Sequence, residues 1–174
     1  MSLATPEQSE KLFVTRRVLA APRALVWKAF SEADHLLKWW GPKGCTMLGG
    51  ALDFRPGGRF HYGMRGPDGS EMWGRFVYEE IVEPERIVFV NSFSDPEGGL
   101  QRAFFSSDWP LEVRNTLSLV EENGMTTLTL RGGPIRATEA ERAFFDSMHE
   151  SMDNGFKGTW DQLEAHLAEL QAQA

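Results

Sequence analysis

The stretch "TEAERAFFDSMHESMDNGFKGTWDQLEAHLAEL", residues 138 to 170, decides the fold. Phe145, Met148, Met152, Phe156, Trp160 or Leu163, Leu167 and Leu170 recur at spacings of three and four, the period of one helical face. Thr138 followed three residues later by Glu141 predicts a capping box at the start. One helix over this span measures roughly 45 to 50 Å, longer than a small domain is wide. Gly155 and Gly158 fall in its middle, each costing roughly 1 kcal/mol against alanine. Close approach of the backbone to a sheet or a ligand would compensate that loss. A mild kink that lets the helix follow a curved sheet explains it equally well.

Upstream the period is two. "GGRFHYGMR", residues 57 to 65, puts Phe60, Tyr62 and Met64 on one face and Arg59, His61 and Arg65 on the other. "EMWGRFVYEEIV", "RIVFVNSF", "VRNTLSLV" and "TTLTLRG" read as further strands. Asp68-Gly69 and Asn123-Gly124 are hairpin turns and "EPER" is a tight connection, so sequence neighbours pair antiparallel. Residues 94 to 110, "SDPEGGLQRAFFSSDWP", have no clear period and are expected to form a long, mobile loop or an irregular edge. Its Phe104, Phe105 and Trp109 suit a lid and a dimer arm alike.

The start of the chain adds a strand and two helices. "LFVTRRVLA", residues 12 to 20, is β-like and stops at Ala21-Pro22, with proline suited to the first turn of a helix. Leu25, Val26, Trp27 and Phe30 form the apolar stripe of that helix, and a second follows Ser31 as its cap. It ends at Trp39-Trp40-Gly41-Pro42, where one ring is expected in the core and the other at a cavity mouth. A curved sheet wrapped around one long helix, closed at one end by two short helices, is a helix-grip of the α+β class. The sheet is expected to have about six to seven strands.

Composition narrows the function. With 174 residues, 41% hydrophobic and 25% charged, residues 12 to 171 are expected to form a single domain that builds its own core. A net charge of −7 without a clustered basic stripe disfavours nucleic acid as a partner. No apolar run approaches a membrane span, and the polar first residues do not resemble a signal peptide, so a cytoplasmic location is expected. Residues 1 to 11 are expected to be disordered. The lone Cys45 excludes an intrachain disulfide and reads as a small, half-buried apolar residue.

The order of motifs resembles the START-like SRPBCC superfamily, and within it the group named after the activator of Hsp90 ATPase. The likeness rests on Pro22 with Val26-Trp27, "LLKWWGP" at 36 to 42, "DFRPGGRFHYGM" at 53 to 64 and Asp68-Gly69. It continues through "YEEIVEPERIVF" at 78 to 89, "GMTTLTL" at 124 to 130 and "GFKGTWDQLEAHL" at 155 to 167. The family usually carries Gly-Trp where this chain has Gly155-Phe156; phenylalanine keeps the ring and loses the indole donor. The resemblance implies a ligand class, since related helix-grip proteins bind lipids, polyketides or hormones. It also implies that homodimerisation is common.

No nucleophile elbow, phosphate loop or zinc-protease motif is present. His35, His61, His149 and His166 are scattered, none with a partner at metal spacing, so no metal and no cofactor are expected. Asp53, Glu79, Glu80, Asp108 and Glu150 are candidate general acids or bases wherever burial raises their pKa. Glu79 and Glu80, adjacent on a strand, should face opposite sides and cannot act as a dyad. The first reading is therefore a binding module for a hydrophobic small molecule. Its wall is assigned to Trp39, Trp40, Phe60, Tyr62, Met64, Trp73, Phe76 and Phe89, with Met148, Met152 and Phe156 from the long helix. An enzyme using the same cavity (a cyclase, dehydratase or hydrolase) is the second reading, and a cofactor of an Hsp90-type chaperone the third.

Overall fold

In the computed structural model, which describes residues 12–173, seven strands form one antiparallel sheet in the order β1-β7-β6-β5-β4-β3-β2. They are β1 (Phe13–Leu19), β2 (Thr46–Leu52), β3 (Arg59–Arg65), β4 (Glu71–Val82), β5 (Arg86–Ser94), β6 (Val113–Glu122) and β7 (Met125–Pro134). The expectation of disorder for residues 1 to 11 lies outside the described residues. Every pairing but β1–β7 joins consecutive strands, by short connections except for the long loop between β5 and β6. Asn123 (φ 54°) and Gly124 (φ 77°) are both left-handed, the geometry that lets a two-residue turn follow the twist of its strands. At the β3–β4 turn the Asp68 carboxylate accepts from the Ser70 N–H at 3.0 Å and from its hydroxyl at 2.6 Å.

The chain step from β1 to β2 instead joins the two edges of the sheet. With strands about 4.8 Å apart, that crossover spans roughly 29 Å. Two helices carry it: α1 (Arg23–Ser31), which buries Val26, Trp27, Ala29 and Phe30, and α2 (Ala33–Trp39), which buries Leu36 and Trp39. The first deviates from expectation only at its start, where Pro22 is the N-cap residue rather than part of the first turn. Ser31 does not cap the second helix. It closes α1, and an extended Glu32 (φ −119°) separates the two without a side-chain capping bond.

The long terminal helix is two helices. Its first segment, α3 (Glu139–Ser147), starts with the expected Thr138–Glu141 capping box, and the second, α4 (His149–Ala172), is 24 residues long, about 36 Å. The break falls at Met148 (φ −98°, ψ 2°). Ser147 Oγ donates back to the Phe144 carbonyl at 2.6 Å, a local bond that competes with the helix ladder. Phe145 consequently belongs to a satellite cluster with Phe13 and Val113, while Trp160, Leu163 and Leu167 join the main core.

Several polar bonds fix α4 on the sheet and on the turn after α2. Trp160 Nε1 donates to Thr15 Oγ1 at 3.0 Å. Thr159 Oγ1 donates to the Gly41 carbonyl at 3.0 Å, and Gln162 Nε2 donates to the carbonyls of Trp39 at 3.0 Å and Gly41 at 2.8 Å. Gly41 (φ 111°) admits this close packing, because a Cβ there would lie 2.5 Å from Met64 Sδ. Gly158 does the same for α4: its Cβ position is 3.3 Å from Lys43 Cβ. Of the two explanations for the helix glycines, close approach holds at Gly158, against a loop rather than the sheet.

A cavity under the first half of the long helix

Below the C-terminal half of α4 the core is filled; below its first half there is space. A cavity of about 300 Å³ lies between β3–β7 and the segment from Met152 to Thr159. Gly155 belongs to its wall, and a Cβ there would meet nothing within 4 Å. The aromatic walls interlock: Trp40 meets Phe76 edge to face with centroids 5.0 Å apart, and Phe156 stacks on Trp160 at 5.3 Å.

Seven of the eleven residues assigned from sequence line this space: Trp40, Tyr62, Met64, Trp73, Phe89, Met152 and Phe156. Four do not. Trp39 is 1% exposed, its indole donating to the Ala29 carbonyl at 3.0 Å, so it is core. Phe60 and Phe76 are buried in the aromatic layer behind the wall. Met148 sits at the helix break and does not line the cavity. The tryptophan pair thus divides, Trp39 inward and Trp40 to the cavity.

The polar part of the wall went unread in the sequence. Asn91 and Asn115 lie on neighbouring strands, two residues apart in register across β5 and β6, and both line the cavity with Tyr62. Asparagine is disfavoured in strands, so "FVNSF" and "VRNTL" each carry a signal that could have singled it out. Gly132 makes the room: a Cβ there would lie 2.2 Å from Asn115 Oδ1. Gly74 does so for Tyr62, whose hydroxyl would be 2.5 Å from an added Cβ. Burial pushes the Tyr62 phenol up from its ordinary pKa, and hydrogen bonds with the Trp40 and Asn91 side chains act the other way.

The five candidate carboxylates, Asp53, Glu79, Glu80, Asp108 and Glu150, are all exposed and outside the cavity wall. Glu79 and Glu80 do not alternate as expected, because the register shifts between Tyr78 and Glu80 and leaves both exposed. Each pairs with its own arginine: Glu79 Oε1 with Arg114 Nε at 2.7 Å, and Glu80 with Arg86. The hydrogen-bonded Arg114 holds the Glu79 carboxyl below the usual range.

The histidines are less scattered in space than in sequence. His35 Nδ1 and His166 Nε2 are 3.0 Å apart, joining α2 to α4. His61 stacks on Trp73 at 5.3 Å and donates from Nε2 to the Asp95 carbonyl at 3.2 Å. His149 packs edge-on between Phe13 and Phe145. Among the described residues no group of three or more His, Cys, Asp or Glu could hold a metal, and no helix is long and apolar enough to cross a membrane.

At its outer end the cavity shares Met72, Trp73 and Phe93 with a surface groove that reaches Phe104, which is 79% exposed. The loop between β5 and β6 forms the rim of this groove. Arg102 organises it, pairing with the buried Glu141 of α3 and donating to the Trp109 carbonyl at 3.3 Å.

Comparison with known proteins places this architecture. Residues 20–168 match the family described as activator of Hsp90 ATPase homolog 1-like protein. Protein Ms6760 from Mycobacterium smegmatis is similar at 27% identity and a TM-score of 0.70, over 87% of each chain. Protein NE0264 from Nitrosomonas europaea shares the fold at 23% identity and a TM-score of 0.73, over 94% of this chain and 98% of its own. A Silicibacter pomeroyi protein bearing the family's name matches at 20% identity and a TM-score of 0.69, over 91% of this chain and 98% of its own. A comparison with curated proteins finds no match. The seven-stranded sheet gripping a long terminal helix, together with the match over residues 20–168, shows that the chain belongs to the activator of Hsp90 ATPase homolog 1-like family of the START-like SRPBCC superfamily.

Proposed function

We propose that this protein binds an apolar small molecule in the cavity beneath the first half of α4. The observation that carries this reading is the cavity itself: about 300 Å³ of space, walled by aromatic and methionine side chains, in an otherwise filled core. Its size lies at the lower end of the range for small-molecule sites, and its few convergent polar groups are what such sites use to orient a ligand. Family membership supports a ligand-binding or cofactor-type role in general terms. The groove beside Phe93 and Phe104 supplies a route from solvent.

The test pairs a thermal-shift screen of apolar ligands, with native mass spectrometry of the same sample, with one blocking variant. A ligand at 100 times its Kd adds about 2.7 kcal/mol. At 2 to 4 °C per kcal/mol for a chain of this size, that is roughly 5 to 11 °C. Met152→Trp puts an indole into the cavity, so the shift should disappear while the variant's own cooperative unfolding persists. Unchanged ligand affinity in that variant would place binding elsewhere.

A further inference from the structure

The chemistry of the wall narrows what the cavity accepts. None of its lining residues is Asp, Glu, Lys, Arg or His. Of the strand arginines next to wall residues, Arg75 donates from Nη1 to the Gly98 carbonyl at 2.9 Å while its Nε has no partner among the described residues, and Arg114 pairs with Glu79. A carboxylate or ammonium group entering this space would lose its hydration without gaining a counterion.

Two polar groups in the wall lack a partner among the described residues: Ser92 Oγ, which is buried, and the side-chain oxygen of Asn115. Asn115 is 8% exposed, and its Nδ2 donates to the Val113 carbonyl at 3.4 Å. Among the described residues nothing donates to its Oδ1, which sits over Gly132 where a Cβ would lie 2.2 Å from it. Asn91 is more fully used, with Nδ2 on the Arg75 carbonyl at 3.1 Å and its side chain beside the Tyr62 hydroxyl. Asn115 Oδ1 is not sealed off in the way Ser92 Oγ is, so a ligand in the cavity can reach it and supply the missing donor.

We propose that the cavity selects an uncharged ligand with a flat aromatic body and a hydroxyl or N–H group that donates to Asn115 Oδ1. This rests on the cavity-binding reading above and adds the ligand's charge and its polar edge. The rings of Phe89, Phe156 and Trp40 in the wall favour a flat aromatic body. Tyr62 and Asn91 border the same end of the wall and can bond to the oxygen of that hydroxyl.

The experiment is calorimetric titration of the purified protein with three bicyclic probes of similar size: 2-naphthol, 2-methoxynaphthalene, which keeps the oxygen but lacks the donor, and 2-naphthoate, which is charged. Expected is 2-naphthol binding roughly tenfold or more tightly than either of the others, the worth of one well-placed hydrogen bond. Asn115→Leu should erase the preference for 2-naphthol over the methoxy compound while both still bind. Equal affinities for 2-naphthol and 2-methoxynaphthalene, or tightest binding of 2-naphthoate, would overturn this selectivity. If Met152→Trp still blocked those probes, the cavity-binding reading would survive. A 2-naphthol preference that persisted in Asn115→Leu would overturn the role given to Asn115. Absence of binding by all three probes would remove both readings together. Should Asn115→Leu not fold, the three-probe series on the native chain still decides the matter of charge and donor.

Discussion

Replacing Trp39 and Trp40 separately by alanine tests the division of labour between two adjacent rings. Trp39 is 1% exposed, and its indole N–H donates to the carbonyl of Ala29, in the last turn of α1, where carbonyls lack helical partners. Truncating a fully buried aromatic costs about 3 to 5 kcal/mol. The stranded Ala29 carbonyl adds about 1 kcal/mol. Trp40 is half-buried and borders existing space, so its loss enlarges the cavity and removes only part of a ring's buried area, about 1 to 2 kcal/mol. The gap between the variants should therefore be at least about 2 kcal/mol, or roughly 4 to 8 °C in Tm. Urea titration followed by circular dichroism measures it, provided the m-values agree so that the comparison concerns stability alone. Equal losses, or a larger loss for Trp40→Ala, would refute the placement of the two rings and with it the wall of the cavity.

Gly155→Ala should raise stability by about 0.5 to 1 kcal/mol, since the residue is inside a helix and its Cβ would meet nothing within 4 Å; a loss in urea titration would mean that the backbone there is needed bare. The His35–His166 contact predicts a pH dependence. Burial lowers the His166 pKa below its ordinary 6.5, with His35 and Lys38 adding to the effect and Glu169 opposing it, while Glu32 lies 3.7 Å from the far side of His35. A histidine whose folded pKa is depressed binds more protons when unfolded, so its stability is intact above about pH 6.5 and falls as pH drops through that value. The stability advantage of the native chain over His166→Gln should therefore shrink between about pH 7.5 and pH 5.5, and a constant or growing gap would refute the assignment.

How much could be read in advance depended on whether a feature was local. Strand alternation at Phe60, Tyr62 and Met64, the Asn123-Gly124 turn and the Thr138–Glu141 box each lie within a few residues, and each is found as expected. The break at Met148 escaped because the apolar spacing runs straight through it with no proline or glycine to mark it; the competing bond from Ser147 becomes visible only in three dimensions. His35 and His166 are 131 residues apart, and no pattern in the chain links them. The wall was legible as a class of residues but not as a surface, because core and cavity share one face of the sheet. Phe60 and Tyr62, two residues apart on one strand, have the same periodicity and different roles, and only the packing of the folded chain over each decides which one meets open space.

That packing also bears on chemistry. The break at Met148 lets α3 pack its Phe145 with Trp109 at 5.4 Å, closing the end of the cavity with the β5–β6 loop, while α4 starts afresh above Asn91 and Asn115. The side-chain acid in the described wall is then Tyr62, whose phenol burial pushes further from ionisation. Such a group is protonated at neutral pH, so it donates a hydrogen bond and does not serve as a base. What Tyr62 and the two asparagines can do together is orient a neutral oxygen and polarise it. Orientation of a neutral polar group inside an aromatic enclosure is what selective binding requires, and a reaction at this site would have to draw its base from the ligand or from a partner rather than from Asp53, Glu79, Glu80, Asp108 or Glu150, all of which face solvent away from the cavity.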